Sequence, residues 1–207
     1  MARPNRIPLF PLDTVLLPGM QMPLHIFEPR YKLMIGRCLS GRIEFGIILA
    51  ASKAIATLGC TAEIVQKTRD YPDGRIDILT EGRAVFRLAE LIDENEYYEG
   101  AVEYLEDAPS ATEIGGDAEL TTTFERCHLL VFGRPWVDAA PNQLATLSYR
   151  MAGLLPMEVD KRQALLEMRS EDDRRSVVLR WMVDFLAKLV ELERARKRAA
   201  GNGHGLN

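Results

Sequence analysis

Histidines and cysteines, the side chains used most readily for acid–base, nucleophilic and metal chemistry near neutral pH, are few in this sequence and lie far apart. They comprise three histidines and three cysteines: His25, His128, His204, Cys38, Cys60 and Cys127. A metal site needs such ligands at short, repeated spacings, and a nucleophile needs a base beside it. No C-x-x-C pair occurs, and no histidine lies at metal-ligand spacing from a cysteine. We therefore predict no catalytic residue, no metal site and no cofactor.

Each of these residues has a plain structural explanation. His25 lies in the apolar run 23–27 and His128 lies beside apolar residues, so both are expected to be hydrogen-bonded core residues. The cysteines lie among apolar residues and are predicted to be small buried hydrophobes. The loops G-x-x-x-x-G-K-[ST], G-x-G-x-x-G and G-x-S-x-G are absent. A small-molecule enzyme stays an alternative hypothesis, which predicts a deep pocket near His25 or Tyr31.

The bulk composition is that of an ordinary globular protein, with 47% hydrophobic and 27% charged residues and a net charge of −4. Proteins that follow phosphate backbones need a strong basic excess, so this balance disfavours nucleic acid as a partner. The N-terminus lacks the apolar core of a signal peptide, and no run approaches the about 18 apolar residues that cross a bilayer. We predict a cytoplasmic protein without a membrane segment.

Residues 1–110 are predicted to form a β-rich part with one helix. Strand-like runs occur at 7–12, 45–51, 60–66, 76–78, 84–88 and 98–105. The turn residues Tyr71-Pro72-Asp73-Gly74 predict a β-hairpin, and Glu81-Gly82 predicts a further break. A helix is expected to begin at Pro29 and to stop at Gly41. The pattern indicates a curled sheet or partly closed barrel capped by this helix.

Residues 111–200 are predicted to form a helical bundle, giving an α+β chain. The periodicity changes across the small-residue linker 108–116, and residues 201–207 are predicted to be a disordered tail. Helices are expected to begin at Asp117, Pro141, Glu158 and Ser170. The last helix finishes in a basic cluster: Arg194, Arg196, Lys197 and Arg198. Such a cluster is more often a solvated helix end than a nucleic-acid contact.

The opening motifs resemble one known family. Ile7-Pro8-Leu9-Phe10-Pro11-Leu12, Val15-Leu16-Leu17-Pro18-Gly19-Met20 and Leu24-His25-Ile26-Phe27-Glu28-Pro29-Arg30-Tyr31 are similar to the start of the Lon protease amino-terminal domain. The likeness continues through Phe45-Gly46-Ile47-Ile48-Leu49, Pro72-Asp73-Gly74-Arg75 and Glu81-Gly82-Arg83. It is looser in the helical part and spans roughly residues 6–190.

The resemblance implies a β-rich, PUA-like pseudo-barrel followed by a helical bundle. In full-length Lon proteases this domain helps to recognise protein substrates and to assemble the ring, and the ATPase and Ser–Lys peptidase domains follow it. The sequence ends at Asn207 before either would begin. We therefore expect a module without ATPase or peptidase chemistry.

The leading hypothesis is a module that binds a protein or unfolded-peptide partner, within a protease or chaperone system. The candidate contact residues are Phe132 and Trp136, because apolar residues at an interhelical turn have less reason to belong to the core. The alternative from another class is RNA binding through the basic cluster, since PUA-like folds elsewhere hold RNA. That alternative predicts a salt-sensitive RNA affinity.

Overall fold

A computed structural model describes residues 3–51, 54–94, 96–109, 118–137 and 147–201. Within these residues the chain forms six strands and five helices, which confirms the α+β class. Their bounds in chain order are β1 (Arg6–Leu12), β2 (Gln21–Ile26), α1 (Pro29–Gly41), β3 (Phe45–Ala51), β4 (Ala54–Asp70), β5 (Ile76–Ile92), β6 (Glu99–Tyr104), α2 (Ala118–Phe132), α3 (Leu147–Leu154), α4 (Val159–Glu167) and α5 (Glu171–Gly201).

Five of the six strands close into a barrel. Strand β1 pairs parallel with β3 and antiparallel with β6. The antiparallel pairs β3–β4, β4–β5 and β5–β6 complete the ring. Strand β2 lies outside it and pairs with the first part of β5, with Leu24 opposite Ile78. The partly closed barrel expected from the sequence is therefore a closed ring that carries one extra strand.

The break predicted at Glu81-Gly82 is wrong, because β5 continues through both residues. Its pairing with β4 shifts there: Val85 lies opposite Cys60, whereas Gly82 lies opposite Ala62. A β-bulge of this kind bends a strand without ending it. Two 17-residue strands therefore replace several of the short strands that the sequence predicted.

Helix α1 confirms the predicted start at Pro29 and buries the expected apolar face. Its last residue is Gly41, as expected. The left-handed residue that ends the helix is, however, Arg42, with φ of 50°. The turn is closed by a hydrogen bond from the Ile43 N–H to the Cys38 carbonyl, 3.1 Å. A non-glycine residue in this conformation is uncommon.

The helical part agrees with the predicted stripes where it is described. Leu120, Phe124 and Cys127 are buried on one face of α2. The Ser170 hydroxyl accepts a hydrogen bond from the Asp173 N–H, 3.2 Å, as expected for a residue that caps α5. The predicted helix starts at Asp117 and Pro141 and the tail residues 202–207 lie outside the described residues. None of the described helices is long and apolar enough to span a membrane.

The β-rich and helical parts share one hydrophobic cluster. Val15, Leu17, Leu58 and Val85 pack in the same cluster as the buried residues of α2 to α5. The Gln163 side chain of α4 also donates a hydrogen bond to the Leu58 carbonyl, 3.1 Å. Most of the predicted linker 108–116 lies outside the described ranges, and the division into two parts stays a prediction.

A buried ion-pair network also joins the two parts. Arg174 of α5 is fully buried and donates hydrogen bonds to both carboxylate oxygens of Asp107, which follows β6. The same guanidinium contacts Glu171 at 2.8 Å and the Ser148 hydroxyl at 3.1 Å. Ser148 in turn donates its own hydroxyl to Glu171, 2.6 Å. Asp107 is thereby tied to the starts of α3 and α5.

Candidate functional site

Four rings form a cluster at the C-terminal end of α2. Phe124, His128 and Phe132 are spaced four residues apart and therefore share one helix face. The Phe124 and His128 ring centroids are 5.9 Å apart, and those of His128 and Phe132 are 4.6 Å apart. Trp136 stands edge-on against Phe124 at 4.9 Å, an arrangement that the ring quadrupoles favour.

The end of α2 brings Trp136 back onto this face. Gly133 has φ of +69°, and its N–H donates to the Leu129 carbonyl at 2.8 Å. A glycine in the left-handed conformation is the common way to end a helix, because it has no Cβ to clash. The chain then reverses, so that Trp136 packs, half-buried, against the bundle core.

His128 is a buried core histidine, as predicted, and it also lines a cavity. Its Nδ1 lies 3.1 Å from the Arg134 carbonyl oxygen, which can only accept, so Nδ1 carries a proton. In the imidazole tautomer with the proton on Nδ1, Nε2 is an acceptor, and the described residues give this atom no hydrogen-bond partner.

The cavity has a volume of about 690 Å³ and lies where the β-rich part meets the helical part; we call it the junction cleft. One wall consists of the turn 19–21 and Glu81 of β5. The other consists of His128, the loop 134–137 and three residues of α3: Arg150, Gly153 and Leu154. Its volume lies in the range of sites that hold ligands, roughly 300–1,000 Å³.

The first wall is held by an exchange of backbone hydrogen bonds between two glycines and their neighbours. The Gly19 N–H donates to the Gly82 carbonyl at 2.8 Å, and the Gly82 N–H donates to the Met20 carbonyl at 2.9 Å. Gly19 has φ of +74°, as its turn requires. On the second wall, a Cβ at Gly153 would lie 3.0 Å from Met20, so α3 packs directly against this turn.

The charged lining of the junction cleft is mostly cationic. Arg134 and Arg150 contribute guanidinium groups, and Glu81 contributes the one carboxylate among the described lining residues. Glu81 is held by Arg83 at 2.5 Å, and Arg83 also contacts Glu63 at 2.7 Å. Burial lowers the pKa of the Arg150 guanidinium, which still leaves it charged at neutral pH.

The two predicted contact residues take different positions. Phe132 is 48% exposed and contacts the His128 ring at a tilt of 42°, outside the cleft lining. Trp136 lines the cleft but is only partly exposed, because its ring also packs on Phe124. Sequence reasoning did not identify Met20, Glu81 and Arg150 as site residues, although Met20 follows the turn dipeptide Pro18-Gly19 and Glu81 belongs to the predicted break at Glu81-Gly82. A turn signal does not say what the turn faces.

His25 is not the core residue that the sequence predicted. Its side chain is 43% exposed on β2, and its Nδ1 lies 2.5 Å from Asp77 on β5. Tyr71 donates a hydrogen bond to the second Asp77 oxygen at 2.8 Å. Hydrogen bonds from His25 and then Tyr71 lower the pKa of Asp77. Neither His25 nor Tyr31 lines the junction cleft, which removes support from the predicted enzyme pocket.

The remaining predicted groups are placed as follows. Cys38, Cys60 and Cys127 are buried and unpaired, as predicted. Arg194 is exposed on α5, whereas the side chains of Arg196, Lys197 and Arg198 lie outside the described part of the chain. Among the described residues, no group of three His, Cys, Asp or Glu side chains is arranged to hold a metal ion.

Comparison with known proteins gives one consistent family. A family model described as the ATP-dependent protease La (LON) substrate-binding domain matches residues 6–184. The Lon protease of Escherichia coli K12 is 28% identical over 212 residues, which cover 93% of this chain and 26% of that protein. The Lon protease of Amoebophilus asiaticus is 25% identical over 206 residues, covering 92% and 24%. The chain thus spans about a quarter of the length of these relatives.

Solved structures agree with this match. The Lon N-terminal domain protein from Xanthomonas campestris superposes with a TM-score of 0.69 at 28% identity, covering 86% of this chain and 98% of that one. The N-terminal domain of a Mycobacterium avium complex Lon protease has a TM-score of 0.64 at 18% identity, with the same coverage, and supports the fold alone.

Proposed function

The chain belongs to the family of ATP-dependent protease La (LON) substrate-binding domains, and from this premise we propose that it is a non-catalytic module that binds protein segments in the junction cleft. The observation that carries the proposal is the placement of Trp136, a large, partly exposed ring that lines a cleft between two packed parts. Aromatic side chains of this kind dominate the affinity of many protein-binding sites.

The chemistry of the cleft suits an extended peptide. Met20, Trp136, Val137 and Leu154 offer apolar surface, and Val137 and Leu154 are 82% and 44% exposed. The His128 Nε2 offers an acceptor for a peptide N–H. Phe132 extends the apolar surface beyond the cleft. A folded partner would need a surface whose shape fits the cleft, whereas an unfolded segment can adapt its conformation to the cleft.

The biological setting is part of the same proposal. Relatives of this chain are Lon proteases, so we propose that the partners are protein substrates presented to a protease or chaperone system. The cytoplasmic location stays a prediction from the sequence. The PUA-like character of the barrel and RNA binding through the basic cluster also stay predictions, and RNA titration at low salt tests the latter.

The proposal is tested by binding of fluorescently labelled short peptides to the full chain, followed by anisotropy. We expect saturable binding of apolar-rich peptides that is weakened at least tenfold by Trp136→Ala and several-fold by Phe132→Ala. Phe27→Ala is the matched control, because Phe27 is also an exposed ring stacked on a histidine, His25, away from the cleft. The proposal would be contradicted if Phe27→Ala and Phe132→Ala lost peptide affinity equally, or if no peptide bound the wild-type chain.

A further inference from the structure

The uneven charge of the junction cleft indicates what kind of segment it prefers. The chain as a whole carries −4, yet two of the three described charged side chains that line the cleft are arginines. The third, Glu81, already contacts Arg83 at 2.5 Å. The described residues give the Arg134 guanidinium no ion-pair partner, and this side chain is exposed at the cleft. Within the described residues, Arg134 therefore places a positive charge at the cleft of an acidic protein.

The cations lie next to the apolar lining rather than apart from it. Arg134 is two residues from Trp136 in the same loop, and its carbonyl is fixed by His128 at 3.1 Å. Arg150 lies on α3 one turn before Leu154. Its side chain also lies close to the opposite wall, since a Cβ at Gly19 would be 3.2 Å from the Arg150 Cγ. Guanidinium groups and apolar side chains thus line the same cleft.

We propose that the junction cleft selects extended segments in which a large apolar side chain lies beside a carboxylate. The apolar side chain packs on Trp136 and Leu154, and the carboxylate pairs with Arg134, whose planar guanidinium group binds carboxylates in a defined geometry. The carboxylate comes from an aspartate, a glutamate or the C-terminus of the segment. This inference rests on the proposed function and adds the substrate class.

The test uses matched labelled peptides and the full chain. In the first pair, one peptide contains Phe-Asp at an internal position and the other contains Phe-Asn there. In the second pair, one peptide has a free C-terminal carboxylate and the other has an amidated C-terminus. We expect one acidic member to bind about fivefold more tightly than its neutral partner, as for a favourable exposed ion pair. The preference should shrink as salt is raised. The pair that responds identifies the source of the carboxylate.

Two charge variants assign the preference to the cleft. Arg134→Gln should weaken the binding of the acidic member more than that of the neutral member, and so reduce the preference toward equal affinities. Arg126→Gln is the matched control, because Arg126 is exposed on α2 outside the cleft lining. Equal affinities within both pairs, or equal effects of the two variants, would overturn the inference while the proposed function stands. Peptides that all fail to bind would overturn both.

Discussion

Gly82 of the β5 bulge lies directly against the carbonyl of Leu17, so closely that a Cβ at Gly82 would be 2.1 Å from the Leu17 oxygen. The contact has no side chain that could move aside, because the obstacle is backbone. Together with the hydrogen bonds between the turn and Gly82, it fixes the turn 19–21 that forms one wall of the junction cleft. A residue that the sequence marks as a strand break is thus the support of the candidate site.

Replacing Gly82 with alanine should destabilise the protein by about 3 kcal/mol, because the backbone must shift to admit one methyl group. Urea denaturation followed by circular dichroism measures this change. Gly36→Ala is the control, since nothing lies within 4 Å of a Cβ there and Gly36 lies inside α1. Alanine at that helix position should stabilise the protein by about 0.5–1 kcal/mol. Equal effects at the two glycines would contradict the account.

Arg174→Met should cost about 3–5 kcal/mol, because it leaves the nearly fully buried carboxylate of Glu171 without its central partner. Arg175, at 3.0 Å from Glu171, moderates the loss. The control is Arg180→Met on the exposed face of the same helix, which should change stability by less than about 0.5 kcal/mol. Chemical denaturation of both variants gives the comparison, and a stable Arg174→Met protein would show that the network is dispensable.

The three thiols should be unreactive in the folded protein. Burial raises the pKa of Cys38 to about 12 and that of Cys127 to about 11, and it raises the pKa of Cys60 as well. At pH 8 all three are therefore protonated, and the thiolate is the reactive form. An aromatic disulfide reagent should modify them only after addition of denaturant. Rapid modification of any cysteine in the native protein would contradict the buried positions.

Asp77 should contribute to stability only above acidic pH. The pKa of Asp77 is lowered in the folded state. Its contribution to the free energy of unfolding is therefore complete above the ordinary aspartate pKa of about 3.9. This contribution is lost as the pH falls through the lowered pKa of the folded protein. Wild type should exceed Asp77→Asn in urea midpoint at pH 5, with the difference narrowing toward pH 3. Tyr71→Phe should remove part of the effect, since it deletes one of the two hydrogen bonds. A pH-independent difference would assign the aspartate a purely packing role.

Local patterns predict much of this fold because they act on neighbouring residues. Pro29, the Tyr71–Gly74 turn residues and the apolar spacing on α2 each set a local conformation that tertiary packing retains. The sequence Glu81-Gly82 led to a wrong prediction because glycine is common both at turns and at β-bulges. The pairing with β4 and the contact with the Leu17 carbonyl show that Gly82 lies at a bulge. Strand β2 was not predicted because it contains Pro23, and proline usually argues against a strand. At the edge of a sheet, where β2 pairs only with β5 among the described strands, a proline is tolerated.

The candidate site was less predictable because its residues are distant in sequence. Trp136 was predicted from its place at a turn, but Met20 and Arg150 lie more than a hundred residues apart and come together where Gly153 packs on Met20 and Gly19 packs on Arg150. His25 was wrongly assigned to the core because strand alternation decides which side faces solvent, and β2 had not been recognised. A fully buried arginine such as Arg174 has no signature that separates it from its exposed neighbours.

The central claim, that protein segments bind in the junction cleft, is tested most directly by the fluorescence of Trp136. The chain has two tryptophans, so Trp181→Phe leaves Trp136 as the single reporter, at the cost of the Trp181 hydrogen bond to Glu158. Titration of this variant with an apolar-rich peptide should shift the Trp136 emission to shorter wavelength and saturate at the affinity given by anisotropy. An unchanged emission spectrum while the peptide binds would place the site elsewhere and contradict the account.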